Sequence, residues 1–451
     1  MILDYSKLII NYSNSRPGSG KTFDTLKRIA TSPGKYLYAV DRIDVFNERR
    51  MLIQRLSTSN DLRIVELNSE ISNNVRQDVF DTPSAYANDS HVVAICTHEA
   101  LMSSDLSHYR GWKLCIDEIP NAWIHHEVST KVSKGVLARY FTIRKSRDKG
   151  GAYRISVKQN MDIQALAEDS FLNEIMPLYK AAKNGKAYCA IASFDEADKW
   201  DWWSFWNFKE LEVFETVSIV GNAFEESLTF KLMQSQGVQL RKFTIPEFTS
   251  YKPHNLIIRY FDENNRATSY FFKSPIGKDA LKAVGRYLQK QNIDIWSCNH
   301  KKLGVDYTKL IGVKNGKLFP SVAGSNAYAA YTSAAFIFSA KPGKTEMGRL
   351  QAMGIEFEDV VRSREIEPMI QFVTRLSIRN PDDDRDCTFF VYDKTQAEAI
   401  KGFFDNLDIG ITTTLVHADL GIPLYFKSVA AKKAAKSAVN KAAYRKKKGN
   451  K

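Results

Sequence analysis

Eight residues near the start of the chain, Ser15-Arg16-Pro17-Gly18-Ser19-Gly20-Lys21-Thr22, have the types and spacing of a loop that cradles phosphate. In such a loop the backbone N–H groups and the positive end of the following helix face a polyphosphate. Ser15, Pro17, Gly18, Ser19 and Gly20 would form the cradle, with Ser15 where Gly is usual. Lys21 would reach the β and γ phosphates, and the Thr22 hydroxyl would bind Mg²⁺. The expected cofactors are therefore ATP and Mg²⁺. The motif needs a strand before it and a helix after it. Lys7–Tyr12 is apolar and short enough for the strand, and Thr22–Ala30 has the pattern of the helix.

A second group of chemical interest is Asp117-Glu118-Ile119-Pro120, at the end of the apolar run Lys113–Asp117. Hydrolysis at a phosphate loop needs an acid at a neighbouring strand end to hold Mg²⁺ through its water shell. An adjacent carboxylate can orient or deprotonate the attacking water. Asp117 suits the first task and Glu118 the second. Taken alone, an Asp-Glu pair after a strand is more often a capped helix start. Following a phosphate loop by about a hundred residues, with three candidate strands between, it supports the metal reading.

A third group is Gln371, Arg375 and Arg379, spaced i, i+4 and i+8 along the expected helix 366–378 and the residue that follows it, so that one face would carry all three. A solvated stripe would intersperse acids, and none lies between Gln371 and Arg379. An Arg supplied from a second domain can neutralise charge on a transferred phosphate.

These groups require a particular scaffold. Strand signals at 36–40, 62–67, 92–97 (running into 98–102) and 113–117, with a helix signal at 43–56, have the pattern of a parallel sheet wrapped by helices. Between 121 and 210 the pattern loosens into a basic, aromatic stretch that holds four of the seven Trp within Trp200–Trp206. Most of those rings are expected in a core, with one or two open to base stacking. A strand at 213–220 leads into Gly221-Asn222-Ala223. Beyond 250 a second α/β unit is expected. Its residues 256–260 and 269–272 are read as a hairpin, with an amphipathic stretch at 280–290, strands at 293–298 and 387–392, an apolar stretch at 334–338, and a helix at 396–404.

The 451 residues are too many for one compact core. Composition is ordinary for a soluble globular protein, 44% apolar and 25% charged. No apolar run is long enough to span a bilayer and no signal segment opens the chain, so no membrane partner is expected. The five cysteines, Cys96, Cys115, Cys189, Cys298 and Cys387, form no Cys-x-x-Cys pair, which argues for a reducing cytosol. Of the +13 net charge, nine Lys and one Arg with no acid lie in residues 427–451. That tail has the character of a non-specific hold on nucleic acid.

In motif order the chain resembles a superfamily 2 helicase-type ATPase, of the DEAD/DExH-like kind. Ser15 to Thr22 resembles the first motif in its DEAD-box form, Asp117-Glu118-Ile119-Pro120 the DExx box, and Gln371 with Arg375 and Arg379 the sixth motif. Tyr38 to Arg42 and Thr97 to Leu101 resemble segments that contact nucleic acid. Gly324-Ser325-Asn326 resembles the fifth motif, which adds Gly324 and Asn326 to the nucleotide site. Gly221-Asn222-Ala223 stands where the family has Ser/Thr-Ala-Thr, and no adenine-reading Gln segment precedes Ser15. The resemblance is to a divergent member, of the sort carried by phages or mobile elements.

It implies two RecA-like domains with parallel sheets. The first would span 1–250 with an insertion at about 121–210, the second 251–426 with the arginine fingers, and 427–451 would be the basic tail. ATP would lie between the domains, with Lys21 and Glu118 on one side and Arg375 and Arg379 on the other. The activity implied is a nucleic-acid-dependent ATPase that translocates on or unwinds its partner, DNA more than RNA, in the cytoplasm with replication or recombination proteins. Two other functions stay open. A DNA-packaging ATPase would need nuclease acids at strand ends, for which only the Asp382-Asp383-Asp384 cluster offers itself. A nucleic-acid-binding assembly protein would use the ATP site as a switch.

Overall fold

The computed structural model describes residues 8–128, 134–145, 153–158, 175–183, 187–192, 200–245, 252–301, 304–320, 327–407 and 409–421. Gly324, Asn326 and the basic tail lie outside them. The described chain forms two compact units. The first takes residues 8–245, Ala327 and Ala340–Arg375, and the second takes 252–320, Tyr328–Ser339 and 376–421.

The first unit is built on a seven-stranded parallel sheet. In chain order its strands are β1 (Ile9–Ser13), β2 (Lys35–Val40), β3 (Leu62–Leu67), β4 (His91–Thr97) and β5 (Lys113–Asp117). After an insertion come β11 (Thr216–Val220) and β12 (Gln239–Lys242). The spatial order is β12-β1-β11-β5-β2-β4-β3, every neighbour parallel. Parallel strands covered on both faces are apolar throughout, and Val92 to Cys96 of β4 are all fully buried. This order sets the end of β5 one strand, β11, away from the end of β1. The phosphate-loop candidate and the Asp-Glu pair thus come to the same carboxyl edge, where open α/β sheets bind ligands.

The insertion, which shows no regular pattern in sequence, is an antiparallel sheet of its own. It comprises β6 (Trp123–Val128), β7 (Phe141–Lys145), β8 (Tyr153–Val157), β9 (Ala187–Ala192) and β10 (Trp200–Trp206), in the order β6-β10-β9-β8-β7. On β10, Trp200 and Trp202 share one face and Trp203 takes the other, as the period of a strand demands. Trp200 and Trp202 join the insertion's own core with Leu137, Phe141 and Leu178, while Trp206 joins the main core. The expectation that most of these rings are core is met. Trp203 points to the other face, where the Arg349 guanidinium lies 4.9 Å from its ring centre.

The sequence boundary near 250 does not divide the packing so simply. Segment Ala340–Arg375 is expected in the second domain, yet Met347, Leu350, Ile355 and Val360 enter the first unit's core. Polar contacts fix it there as well. Arg349 makes two 3.1 Å hydrogen bonds to Asp201, and Trp123 Nε1 donates to Glu346 at 3.0 Å.

The second unit is a five-stranded parallel sheet of β13 (His254–Asp262), β14 (Ile295–Cys298), β15 (Ser333–Ile337), β16 (Cys387–Asp393) and β17 (Ile411–His417), in the order β14-β15-β16-β13-β17. The expected hairpin is absent from it. Residues 254–262 form a central parallel strand, and Ser269–Lys273 is a helix capped by the Thr268 hydroxyl, which accepts from Phe271 N at 3.0 Å. Apart from that pair and the packing of Ala340–Arg375, the architecture is the one expected, two RecA-like parallel-sheet units. Among the described residues no helix is long and apolar enough to cross a membrane.

Candidate functional site

The chain leaves β1 through a loop that Gly18 (φ 80°) and Gly20 (φ 87°) allow to turn left-handed before the helix Lys21–Thr31 begins. The expected helix is present, with Leu26, Ile29 and Ala30 buried against the sheet. Ser13 and Ser15 share a hydrogen bond at 2.6 Å, and Ser15, Ser19 and Lys21 are all buried. The Ser19 hydroxyl oxygen, enclosed by the loop, has no hydrogen-bond partner among the described residues. A buried polar atom left open in a loop of this form suits a ligand with acceptor oxygens.

Asp117 ends β5 and is almost wholly enclosed. The Thr22 hydroxyl donates to its carboxylate at 3.0 and 3.1 Å, so the two residues expected to hold Mg²⁺ are in contact. One hydroxyl and one carboxylate make a donor set that fits a Mg²⁺ completed by phosphate oxygens and water. Three residues that sequence reasoning did not assign to this site hold Asp117 in place. The buried Tyr38 hydroxyl donates to Oδ2 at 2.7 Å, and Arg49 Nε lies 3.8 Å from the same oxygen. His98 Nε2 donates to the Asp117 backbone carbonyl at 3.0 Å, which places its proton on Nε2. Burial holds His98 below its ordinary pKa, so the ring is neutral at pH 7.

The resemblance gave Tyr38 and the Thr97–His98 pair to nucleic-acid contact. Here Tyr38 and His98 are turned inward to Asp117, and the Thr97 hydroxyl accepts from Ala100 N at 3.1 Å as a helix cap. The available sequence signals were slight: a phenol in the next strand after the loop, and an Arg within the helix Phe46–Leu56.

Glu118 follows in a left-handed conformation (φ 68°), with its N–H on Val220 O at 2.8 Å. A non-glycine residue there costs on the order of 1 kcal/mol. The turn carries the Glu118 side chain to Lys21, whose Nζ is 3.3 Å from Oε1. Burial pushes the Glu118 carboxyl up, but the charges of Lys21 and Arg375 outweigh it and hold the group below its ordinary range. Glu118 is therefore an anion at pH 7, as a base or water-orienting group must be.

The third group converges only in part. The helix expected over 366–378 ends at Val373. Thr374 turns its hydroxyl back onto Ile370 O at 2.8 Å, Arg375 N bonds Phe372 O, and Leu376 is extended before a short 3₁₀ turn at Ser377–Arg379. Gln371, Arg375 and Arg379 therefore do not share one helical face. Phe372, Val373, Leu376 and Ile378 are all buried, and satisfying four apolar side chains breaks the 3.6-residue register. Gln371 and Arg375 belong to the first unit, where Gln371 Nε2 lies 3.4 Å from Glu118 Oε2 and the charge of the buried Arg375 acts on Glu118. Arg379 belongs to the second unit. In that unit too, Asp383 is taken up by Arg385, with bonds of 2.6 and 3.0 Å in a turn, and is no nuclease ligand as it stands.

The sequence matches no protein-family model and no curated protein. Solved structures similar in fold include one titled XPD helicase (9% identity, 91% of this chain and 97% of that one, TM-score 0.48). Xpd4 of S. tokodaii is 11% identical over 92% of this chain and 97% of its own, with a TM-score of 0.44. A DEAD box protein of Methanococcus jannaschii is 8% identical over 91% of this chain and 89% of its own, with a TM-score of 0.29. The likeness concerns the fold alone.

Proposed function

We propose that the protein is a nucleic-acid-dependent ATPase that translocates along, or unwinds, its partner. The observation that carries this reading is the meeting of Lys21, Thr22, Asp117 and Glu118 at one sheet edge, from segments about a hundred residues apart. In this reading the loop N–H groups and Lys21 bind the triphosphate, and Thr22 and Asp117 hold Mg²⁺, which neutralises charge on the phosphates. Lys21 exchanges Glu118 for phosphate when nucleotide enters. Glu118, freed of that ion pair and still ionised, orients the attacking water. Arg375 stands in the same unit as a source of positive charge. Arg379 belongs to the second unit.

The nucleic-acid half of the proposal is supported by the fold type and by the charge of residues 427–451. ATP turnover measured without partner and with single-stranded DNA, duplex DNA and RNA tests it. Stimulation by one of these supports a motor and names its track. Turnover unchanged by all three would leave an ATPase of another kind, and no turnover would favour a binding switch. Removing 427–451 is expected to weaken nucleic-acid binding and flatten its salt dependence. On duplex DNA the log–log slope should fall by about 0.9 for each phosphate the tail no longer neutralises.

A further inference from the structure

Sequence marks Gly221-Asn222-Ala223 as the place where the chain departs from its resemblance, and the structure gives Asn222 a definite task. Asn222 is buried at the end of β11, and its Nδ2 lies 2.7 Å from both carboxylate oxygens of Glu367. Glu367 is buried too, in the first turn of the helix Glu367–Val373. One turn on, Gln371 Nε2 donates to Glu367 Oε1 at 3.0 Å and reaches Glu118 Oε2 at 3.4 Å. A single amide nitrogen thus stands between two carboxylates.

A glutamine amide has a donor end and an acceptor end. With Glu367 ionised the donor end must face the carboxylates, because turning the amide over would set its oxygen against both. Glu367 therefore decides what Glu118 meets at Oε2. That matters most after nucleotide has drawn Lys21 from Oε1, when Gln371 is the remaining described hydrogen bond on the Glu118 side chain. Keeping a second carboxylate buried here is costly. Burial, with the Glu118 charge adding to it, pushes Glu367 up to about 7 despite the hydrogen bonds from Asn222 and Gln371. An apolar residue at 367 would pack without that cost and leave Gln371 free to turn.

We propose that Glu367 is a positioning residue for Glu118, acting through the Gln371 amide and itself held by Asn222. The proposal rests on the ATPase reading, since it concerns the orientation of Glu118 toward water. It predicts an effect on turnover at saturating ATP rather than on ATP binding.

The test compares wild type, Glu367→Gln, Asn222→Asp and the double variant, which exchanges amide and carboxylate across the pair. Steady-state turnover and equilibrium binding of ATP are measured for each. In Glu367→Gln, the new amide can present its nitrogen to Gln371 and turn it over. The expected loss is about tenfold or more in kcat, with KM and nucleotide affinity within about twofold of wild type. In the double variant, the carboxylate introduced at position 222 accepts from the amide nitrogen introduced at position 367. The oxygen of that amide again accepts from Gln371, and kcat recovers. A kcat in Glu367→Gln within about twofold of wild type overturns the proposal, as does a loss that the double variant leaves unrepaired. A wild-type protein with no turnover would fail the ATPase reading itself, an outcome distinct from these.

Discussion

The two parallel sheets share an architecture and differ in what their strand ends do. In the first unit the acids after β5 face side chains: Asp117 meets Thr22, Tyr38 and Arg49, and Glu118 meets Lys21 and Gln371. In the second, the strand-end acids hold backbone N–H groups, joined at Asp262 by the Asn265 amide and the Tyr392 hydroxyl. Asp262, at the end of β13, accepts from Asn264 N at 2.9 Å and Asn265 N at 2.8 Å. Asp393, at the end of β16, accepts from Ala267 N at 2.6 Å and caps the following helix through Gln396 N at 2.9 Å. A carboxylate satisfied by N–H groups shapes a loop, whereas one held by mobile cations and amides can change partners when a ligand arrives. The carboxyl edge of a parallel sheet offers a place for chemistry, and the residues there decide whether it is used.

The most damaging changes should fall in the first unit. Lys21→Ala and Glu118→Gln are each expected to lower ATP turnover by about a hundredfold or more. Lys21→Ala should also weaken nucleotide binding, and Glu118→Gln should leave it near wild type. Turnover persisting in Glu118→Gln would remove that residue from its role and blur the contrast between the sheets.

The arginines sharpen it next. Arg375 packs in the first unit with Glu118, and Arg379 lies in the second. Loss of an arginine that neutralises transferring phosphate costs on the order of 10³ in kcat, as a lower figure. Arg379→Ala is expected to show that loss with the fold intact. Arg375→Ala should lower kcat and, because its side chain is buried, melting temperature as well. If Arg379→Ala turns over like wild type, the second unit supplies no arginine finger from this position.

Sequence made the first sheet readable and obscured the third motif group, for a physical reason in each case. Strands β3 and β5 were placed to the residue, since buried parallel strands read as short apolar runs between turns. The loop was readable because glycine is needed where φ is positive. The insertion was not, because its aromatics pack alternately on two cores and give no single apolar face. The residues around Asp117 were hidden for another reason: Tyr38, Arg49 and His98 reach it across strand order, which local pattern does not encode. Glu367 was missed because an acid in the first turn of a helix ordinarily needs no further explanation. Gln371, Arg375 and Arg379 were identified by type, but the helical face assigned to them assumed an unbroken helix that Thr374 and the buried Leu376 end.

The second unit's acids allow a milder test. Asp393→Ala removes a helix cap and the acceptor for Ala267 N, and should cost about 1–2 kcal/mol of stability. Turnover at a temperature well below melting should be unaltered. A selective fall in kcat without a change in melting temperature would show that this strand end takes part in the chemistry after all.

The smallest expected effect concerns how Glu367 is held. Its carboxyl is raised to about 7, against an ordinary 4.5, because it is buried and faces the negative Glu118 across the Gln371 amide, opposed by the two amide hydrogen bonds and Lys21. Between those values the native state binds more protons than the unfolded chain. The stability this group contributes is thus complete below 4.5 and lost as pH rises through about 7. His98 and Glu118 are shifted downward and act with the opposite sign, His98 losing stability as pH falls below 6.5 and Glu118 as it falls below 4.5. The Glu367 contribution is isolated by comparing melting temperatures of wild type and Glu367→Gln at about pH 5.5 and about pH 8, on either side of the raised value. On going to the higher pH the variant should gain on wild type by about 2 °C or more. Parallel behaviour at the two pH values would mean that water reaches Glu367, and that its orientation of Gln371 is looser than the enclosed geometry implies.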